Sequence, residues 1–279
     1  MTVTPIRVGL VGTGYWAREV HEAGLRAHPD VELVGVWGRD SDYDARFAEV
    51  DAVAFAVPPA VQAELALRAA EAGKHLLLEK PVALDLAAAD ELVAAVEGRG
   101  LSSVVFFTQR FVPVWEDWLE QVAATSPHGG RADWLSAHAG TDSPYAGSLW
   151  RQQHGALWDV GPHQVAQLLV ALGPVVDVNG VRGAGDLVHL VLTHAGGTTS
   201  RMSLSLSMPP GSNRVQVEFY GEGGWQQQPP HQRDVADAYA RAVSDLVANI
   251  RSGTSKHRCD VRFGREVTEV LARAEAALA

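Results

Sequence analysis

The chain has 279 residues, 47% of them hydrophobic, and a formal net charge of −10 at pH 7. This length suffices for one large domain or, as we expect, for two of ordinary size with apolar cores. The acidic balance argues against nucleic acid as a partner, because a phosphate backbone demands a basic surface. The same balance is equally typical of proteins whose charge only keeps them soluble.

Cysteine content and apolar runs set the expected compartment. Cys259 is the single cysteine, so it can form no internal disulfide and alone makes no metal site. The start of the chain lacks a basic segment followed by a long apolar stretch, and no apolar run reaches the ~20 residues needed to span a bilayer. We therefore expect a cytoplasmic protein with no membrane partner.

Residues 1–110 alternate short apolar runs with amphipathic patterns, which predicts a first α/β domain with a parallel, doubly wound sheet. Strands are predicted at 6–12, 31–38, 51–59, 75–79 and 101–109. Only a very short helix is expected between the second and third strands, because residues 39–50 leave little space for a full crossover.

Residues 111–279 have a different rhythm and predict a second α/β domain. After a linking helix over 110–125, strand-like runs separated by glycine turns indicate an open, mostly antiparallel sheet, with a hairpin around 194–199. One helix is predicted among these strands, over 156–173, and residues 226–232 are the most loop-like stretch. Two amphipathic helices are predicted at about 235–251 and 265–278. The second of them could pack against the first domain.

The turn after the first strand is typical of a dinucleotide site. Gly12, Gly14 and Ala17 form a G-x-G-x-x-A pattern between a strand and a helix. Gly12 permits the tight turn, Gly14 lets the backbone approach a pyrophosphate, and Ala17 lets the helix lie close to the strand. The helix N-terminus, with Tyr15 and Trp16, then directs N–H groups at the anion. Glycines also make ordinary turns, but this position favours a dinucleotide.

The end of the second strand indicates which dinucleotide is bound. An NAD site usually places an acid there to accept hydrogen bonds from the ribose. Here Gly38 removes the carboxylate that would repel a 2′-phosphate, and Arg39 could bind that phosphate, so the sequence favours NADP over NAD. The alternative is that Arg39 is a solvated loop residue and that Asp40 contacts the ribose.

One lysine stands in an unusual position. The chain has only Lys74, Lys80 and Lys256, and Lys80 follows an apolar run directly between Glu79 and Pro81. A lysine offers a compact ammonium with rotatable donors and an adjustable pKa, which the rigid fork of arginine does not supply. A lysine at a strand end is ordinarily a surface charge, and that alternative stays open here.

Asp159 and His163 are four residues apart in the helix predicted over 156–173, so both are expected on one face and in its first turns. There the helix macrodipole favours a carboxylate and disfavours imidazolium, which would keep His163 neutral and able to take a proton near pH 7. Such a pair is more often structural than catalytic.

The glycine loop, "AGKHLLLEKP" and "GALWDVGPH" occur in an order that resembles the glucose-fructose oxidoreductase/inositol dehydrogenase/MocA family, over essentially the whole chain. The resemblance implies an N-terminal Rossmann domain and a C-terminal α/β domain whose open sheet often joins subunits. It also implies hydride transfer between NAD(P) and a carbinol carbon of a sugar, cyclitol or related polyol. The segment 200–208 alternates apolar residues with serines, and we expect such sheets to pair in a homodimer or homotetramer.

By this resemblance Lys80, Asp159 and His163 are the catalytic residues. His163 exchanges the hydroxyl proton, Lys80 donates a hydrogen bond to the same oxygen, and Asp159 orients the substrate. The bond from Lys80 to Pro81 is expected to be cis. No metal is required.

The same resemblance extends to cofactor and substrate contacts. Further candidates for the dinucleotide are Val57, Pro58, Glu79 and Lys80. Candidates for the substrate are Arg110, Arg151 and Trp158, although either arginine could be a structural ion-pair partner and Trp158 a core residue. The family pattern P-x-x-x-H is replaced by Pro59 and Gln62, which leaves open whether this loop contacts the nicotinamide ribose.

Two other functions stay open. A dinucleotide-binding regulator or accessory protein of the same fold would show no turnover, and the trimmed first domain and the Pro59/Gln62 loop favour it. The second open function is a reductase that acts on a non-sugar substrate. The presence of Lys80, Asp159 and His163 together favours an enzyme.

Overall fold

The structure is a computed structural model that describes residues 4–137, 148–209, 211–230, 232 and 234–279. It separates into two compact units, Met1–Val112 with Arg233–Thr268, and Pro113–Gln232 with Glu269–Ala279. These units are defined by compactness. The predicted division into a cofactor domain, 1–110, and a substrate domain, 111–279, is defined by function and stays a prediction. Each unit is described by itself.

The first unit contains a parallel sheet of five strands in the order β2-β1-β3-β4-β5, which confirms the predicted fold class. The strands are β1 (Ile6–Val11), β2 (Val31–Trp37), β3 (Ala52–Phe55), β4 (His75–Leu78) and β5 (Ser103–Val105). β3 is wholly buried and β4 nearly so, as expected for a sheet covered on both faces. The strand order changes direction between β1 and β3, which is where ligands bind in open α/β sheets.

Helices connect these strands. They are a π-helical segment (Ala17–Glu22) that continues as α1 (Ala23–Ala27), then α2 (Tyr43–Ala48), α3 (Pro59–Glu71) and α4 (Leu86–Gly98). As predicted, the connection between β2 and β3 holds only a six-residue helix, and its N-terminus is capped by the Asp42 side chain. The π-helical segment was not predicted.

The linking helix predicted over 110–125 begins later than expected. A 3₁₀ turn covers Thr108–Phe111, Val112 is extended, and α5 runs over Pro113–Ala124. Proline disfavours a helical conformation in the residue before it and suits the first position of a helix, so the α-helix starts at Pro113.

The second unit contains a six-stranded sheet in the order β11-β10-β6-β9-β8-β7. Its strands are β6 (Gly129–Leu135), β7 (Val175–Arg182), β8 (Val188–His194), β9 (Thr199–Ser205), β10 (Arg214–Gly221) and β11 (Gly224–Gln227). Only β6 and β9 pair in parallel, and β8 and β9 form the predicted hairpin. The predicted loop over 226–232 is wrong at its start, because β11 begins at Gly224, whose φ is +83°, and pairs with β10 through residue 227.

The helix predicted over 156–173 is interrupted. The structure has α6 (Leu149–Asp159), broken at Gly155 with φ 60°, and α7 (Gly161–Leu172), with Val160 between them. Pro162 has no N–H to bond back to the preceding turn, which accounts for the interruption just before it.

Two long helices end the chain, α8 (Val235–Ser252) and α9 (Val261–Ala277), close to their predicted positions. α8 packs against β4, β5 and α1 in the first unit. α9 contributes to both units, which divide at Thr268. None of the described helices has the length and apolar character that a membrane crossing requires.

Candidate active site

The loop after β1 has the geometry of a pyrophosphate-binding turn. Gly12 has φ +137°, and a Cβ at this position would lie 2.5 Å from the backbone oxygen of Ala56, so only glycine fits. A Cβ on Gly14 would meet no atom within 4 Å, which leaves open space above the backbone. Ala17 is 1% exposed at the base of the helix. This local geometry is compatible with the roles predicted for the three positions, and the contact with a dinucleotide phosphate stays a prediction.

The other cofactor candidates follow the neighbouring strands. Gly38 follows β2, Val57 and Pro58 follow β3, and Lys80 lies two residues after β4. Because the carboxyl ends of parallel strands meet at one edge of a sheet, the structure places all of them at the same edge as the glycine loop.

Arg39 stands at this edge as an exposed side chain. It forms no ion pair with any residue in the described ranges, whereas the neighbouring Tyr43 hydroxyl donates to the Gly38 carbonyl at 2.8 Å. A Cβ on Gly38 would lie 3.5 Å from Thr13 Cγ2, an ordinary contact. A larger side chain would therefore fit at position 38. The effect of glycine there is that no carboxylate stands at the end of β2.

Gln62 holds the backbone on both sides of Lys80. Its Oε1 accepts a hydrogen bond from the Glu79 N–H at 2.8 Å, and its Nε2 donates to the Glu79 carbonyl at 2.7 Å and to the Pro81 carbonyl at 3.1 Å. The Gln62 side chain is 0% exposed. The sequence left open a ribose contact from this loop, and in the structure the Gln62 amide is a clamp on the segment that carries Lys80. The Lys80–Pro81 bond is cis, as the family resemblance implies.

The Glu79 carboxylate belongs to a largely buried network. Its Oε1 accepts from Trp16 Nε1 at 2.6 Å and lies 2.9 Å from His21 Nε2, while Tyr239 Oη lies 3.0 Å from His21 Nδ1. Trp16 and Glu79 were both predicted as cofactor residues, and the structure brings them together. Sequence reasoning missed His21 and Tyr239, since nothing local indicates a contact across 218 positions.

Asp159 and His163 lie in the second unit, at the junction of α6 and α7. Asp159 is the last residue of α6, so the prediction that both begin one helix is wrong for the aspartate, and the helix dipole there is unfavourable for a carboxylate. Arg151 offsets this, because its Nε donates to Asp159 Oδ2 at 3.1 Å. His163 is in the first turn of α7, as predicted, is 6% exposed, and stacks on Trp134 of β6 with ring centroids 5.6 Å apart.

The other two substrate candidates are buried. Trp158 is 1% exposed and its Nε1 donates to Glu275 at 3.1 Å, which matches the core alternative rather than a substrate contact. Arg110 is 4% exposed, and its guanidinium lies 5.5 Å from the centre of the Phe263 ring in the first unit. Arg151, partly exposed and bonded to Asp159, is the substrate candidate whose position best suits that role.

Two family models match the chain. One described as "Oxidoreductase family, NAD-binding Rossmann fold" matches residues 40–107, and one described as "GFO/IDH/MocA C-terminal domain" matches residues 128–227.

Curated relatives extend the comparison. An "Uncharacterized oxidoreductase" of Synechocystis sp. is 28% identical over 80% of this chain and 72% of its own length. The dTDP-3,4-didehydro-2,6-dideoxy-alpha-D-glucose 3-reductase of Streptomyces antibioticus is 26% identical over 96% of each chain. An "Uncharacterized protein" of Saccharomyces cerevisiae is 27% identical, and the match spans 67% of this chain and only 63% of that relative.

Solved structures share the fold. The UDP-N-acetylglucosamine 3-dehydrogenase GnnA from Acidithiobacillus ferrooxidans superposes with a TM-score of 0.83, at 21% identity over 99% of this chain and 98% of that one. GenD2 from gentamicin A biosynthesis, solved in complex with NAD, superposes with a TM-score of 0.81 at 21% identity over 99% and 94%. Together with the family matches, these findings show that the chain belongs to the GFO/IDH/MocA family of oxidoreductases, with an NAD-binding Rossmann fold.

Proposed function

We propose that the protein transfers hydride between a nicotinamide dinucleotide, with NADP preferred, and a carbinol or carbonyl carbon of a sugar, cyclitol or related polyol. The observation that carries this proposal is the common edge of the first sheet, where the glycine loop after β1 and Lys80 after β4 lie at the carboxyl ends of parallel strands. Relatives named as a sugar-nucleotide reductase and a sugar-nucleotide dehydrogenase support the substrate class.

The glycine loop would hold the dinucleotide. The open space above Gly14 admits a pyrophosphate, and the exposed Arg39 is available to a 2′-phosphate through a charge-assisted pair. When bound, the nicotinamide supplies the acceptor or donor of the hydride.

Three side chains of the chain handle the substrate in this proposal. Lys80 donates a hydrogen bond to the reacting oxygen, and the clamp by Gln62 fixes the backbone from which the ammonium extends. His163 takes the hydroxyl proton in oxidation or returns it in reduction. Asp159, oriented by Arg151, accepts hydrogen bonds from other substrate hydroxyls.

We also propose assembly through the second sheet. The apolar positions of β9, Met202 and Leu204, are at most 1% exposed and lie on the side of α6 and α7. The opposite side carries Ser203, Val191 and an Arg131–Glu218 ion pair of 2.6 Å, with Val191 50% exposed. The serine side, rather than the apolar side, is therefore the surface offered to a second copy.

The test is a panel of polyols and keto-sugars read at 340 nm with NADP(H) and NAD(H). Lys80→Arg should lower turnover by about two to four orders of magnitude, because the guanidinium displaces the substrate oxygen and cannot share a proton at neutral pH. Lys74→Arg is the matched control: Lys74 donates to the Val50 carbonyl at 3.0 Å in the same segment and should retain the parent rate.

Two outcomes would contradict the proposal. If the parent binds NADP but turns over nothing on the panel, the protein is a dinucleotide-binding regulator or a reductase of a non-sugar substrate instead. If Lys80→Arg works at the parent rate on a substrate that is found, Lys80 is only a strand-end charge.

A further inference from the structure

A continuous chain of hydrogen bonds runs beside the strand that carries Lys80. It starts at Tyr239 in α8, passes through His21 in the π-helical segment and ends on Glu79, with separations of 3.0 and 2.9 Å. Tyr239 and His21 are both 0% exposed. Neither residue has a role in the mechanism proposed above.

With a neutral His21 ring, the donors and acceptors of this chain fit one arrangement of hydrogens. An ionised Glu79 only accepts, so His21 Nε2 must carry the hydrogen, and Nδ1 of a neutral ring accepts from the Tyr239 hydroxyl. Burial, and then the charge of Glu79, raises the pKa of Tyr239 well above its usual value, so this hydroxyl remains a donor. The network thus selects one tautomer of His21.

The two oxygens of Glu79 face different partners. Oε1 accepts a hydrogen bond from Trp16 Nε1 and lies within hydrogen-bond distance of His21 Nε2. Oε2 accepts a hydrogen bond from the backbone N–H of Lys80 at 3.3 Å. Because a carboxylate is rigid, fixing Oε1 also fixes the direction of Oε2. The contacts therefore join the helix of the phosphate loop to the backbone of the lysine.

We propose that His21 is a positioning residue for the reaction: it orients Glu79 so that the carboxylate holds the backbone of Lys80, and Tyr239 keeps His21 in the tautomer that does so. The proposal rests on the function proposed above for Lys80. It also gives a role to the π-helical segment, since π-bulges occur frequently at functional sites and this one contains His21.

A buried histidine bonded to its neighbours can serve stability alone, and the chain offers a matched comparison. His28, at the end of α1, is 9% exposed, and its Nε2 lies 2.9 Å from Ser244 Oγ of α8. It joins α8 to the end of α1, the helix into which the segment of His21 continues, and it does not contact Glu79. A stability role predicts the same behaviour for both histidines, whereas a positioning role predicts a difference.

Lysine content makes a direct measurement possible. Protein labelled with [¹⁵N]lysine gives three backbone amide signals, from Lys74, Lys80 and Lys256. His21→Phe should move the Lys80 signal and speed its amide exchange, because Glu79 loses its orientation, and should leave the other two in place. His28→Phe should leave all three in place. Tyr239→Phe removes only a hydroxyl and should move the Lys80 signal in the same direction by a smaller amount. This variant replaces His21→Phe in the experiment if His21→Phe does not fold.

Turnover supplies the second readout. His21→Phe should lower kcat by about 10- to 100-fold while the Kd for NADP changes by less than about threefold, since small misplacements of a reacting group are costly. His21→Gln can donate to Glu79 and accept from Tyr239, and should recover kcat to within about fivefold of the parent. His28→Phe should keep the parent kcat.

An unmoved Lys80 signal in both His21→Phe and Tyr239→Phe would overturn the proposal. So would an equal loss of kcat in His21→Phe and His28→Phe. A parent without turnover on any substrate overturns the proposed function instead, and the lysine spectra then decide on their own whether His21 positions Lys80.

Discussion

Replacing Gln62 by methionine, which has a similar length and no amide, should destabilise the protein measurably. The substitution removes the bonds to the Glu79 N–H, the Glu79 carbonyl and the Pro81 carbonyl. Each intramolecular bond contributes about 0.5–1.5 kcal/mol net, and each buried group left unpaired costs about 1–3 kcal/mol. Glu79 is partly exposed, so water relieves part of this cost, and we expect a loss of about 2–4 kcal/mol.

The assay is thermal unfolding followed by circular dichroism at fixed protein concentration. For a chain of this size each kcal/mol corresponds to roughly 2–4 °C, so the Tm of Gln62→Met should fall by about 5–15 °C. Gln226→Met is the matched control, because its amide makes an exposed bond to Thr125 at 3.1 Å and its loss should cost less than about 0.5 kcal/mol.

Gln62→Glu tests the donor half of the clamp. Glutamate keeps an acceptor for the Glu79 N–H but places a carboxylate oxygen against the Glu79 and Pro81 carbonyls, so its loss at pH 7 should exceed that of methionine. A Gln62→Met protein with the parent Tm, or a Gln62→Glu protein more stable than Gln62→Met, would refute this account of the clamp.

Three further outcomes follow from the structure. By calorimetry, the parent should bind NADP more tightly than NAD, and Arg39→Ala should remove most of a preference of about 10- to 100-fold; equal affinities in the parent would contradict it. Light scattering at micromolar concentration should report a dimer or tetramer, and Val191→Arg, directly opposite Arg201 in the sheet, should shift it toward monomer; a monomeric parent would exclude the interface. Burial lowers the pKa of His194 despite its bond to the Gly173 carbonyl, so its contribution to stability is complete above about pH 6.5 and declines as pH falls toward the folded value. The Tm should therefore fall between pH 7.5 and 5.5, and less steeply in His194→Gln; an equal slope in both proteins would assign the loss to other groups.

Local patterns predicted most of the fold of the first unit. The apolar run of β4 is too short for a helix of usual length and therefore favours a buried strand, and the fourteen residues between β2 and β3 leave room for little more than one helical turn and a half. The glycine loop was also predictable from local sequence. The φ of +137° at Gly12 and the closeness of the Ala56 backbone exclude any side chain there, so the turn requires a glycine that the sequence displays.

Long-range contacts set the features that sequence reasoning missed. The four residues of β11, Gly-Trp-Gln-Gln, are too few to show a strand pattern, and they become a strand because β10 provides their hydrogen-bond partners. The break at Val160 depends on how Pro162 and Gly155 distort neighbouring turns, and it moves Asp159 from a helix start to a helix end. Periodicity alone gives the spacing of Asp159 and His163 but not this change of position.

The clamp by Gln62 also changes the balance between the enzyme and the silent regulator. In the sequence, Gln62 in place of the family histidine favoured a protein that had lost its chemistry. In the structure, both ends of its amide are used to hold the residues on either side of Lys80, and the Glu79 carboxylate holds the Lys80 N–H as well. A protein that only senses dinucleotide needs the glycine loop and the end of β2, and gains nothing from fixing the backbone of a lysine after β4. The departure at position 62 therefore favours an active enzyme and agrees with the role proposed for Lys80.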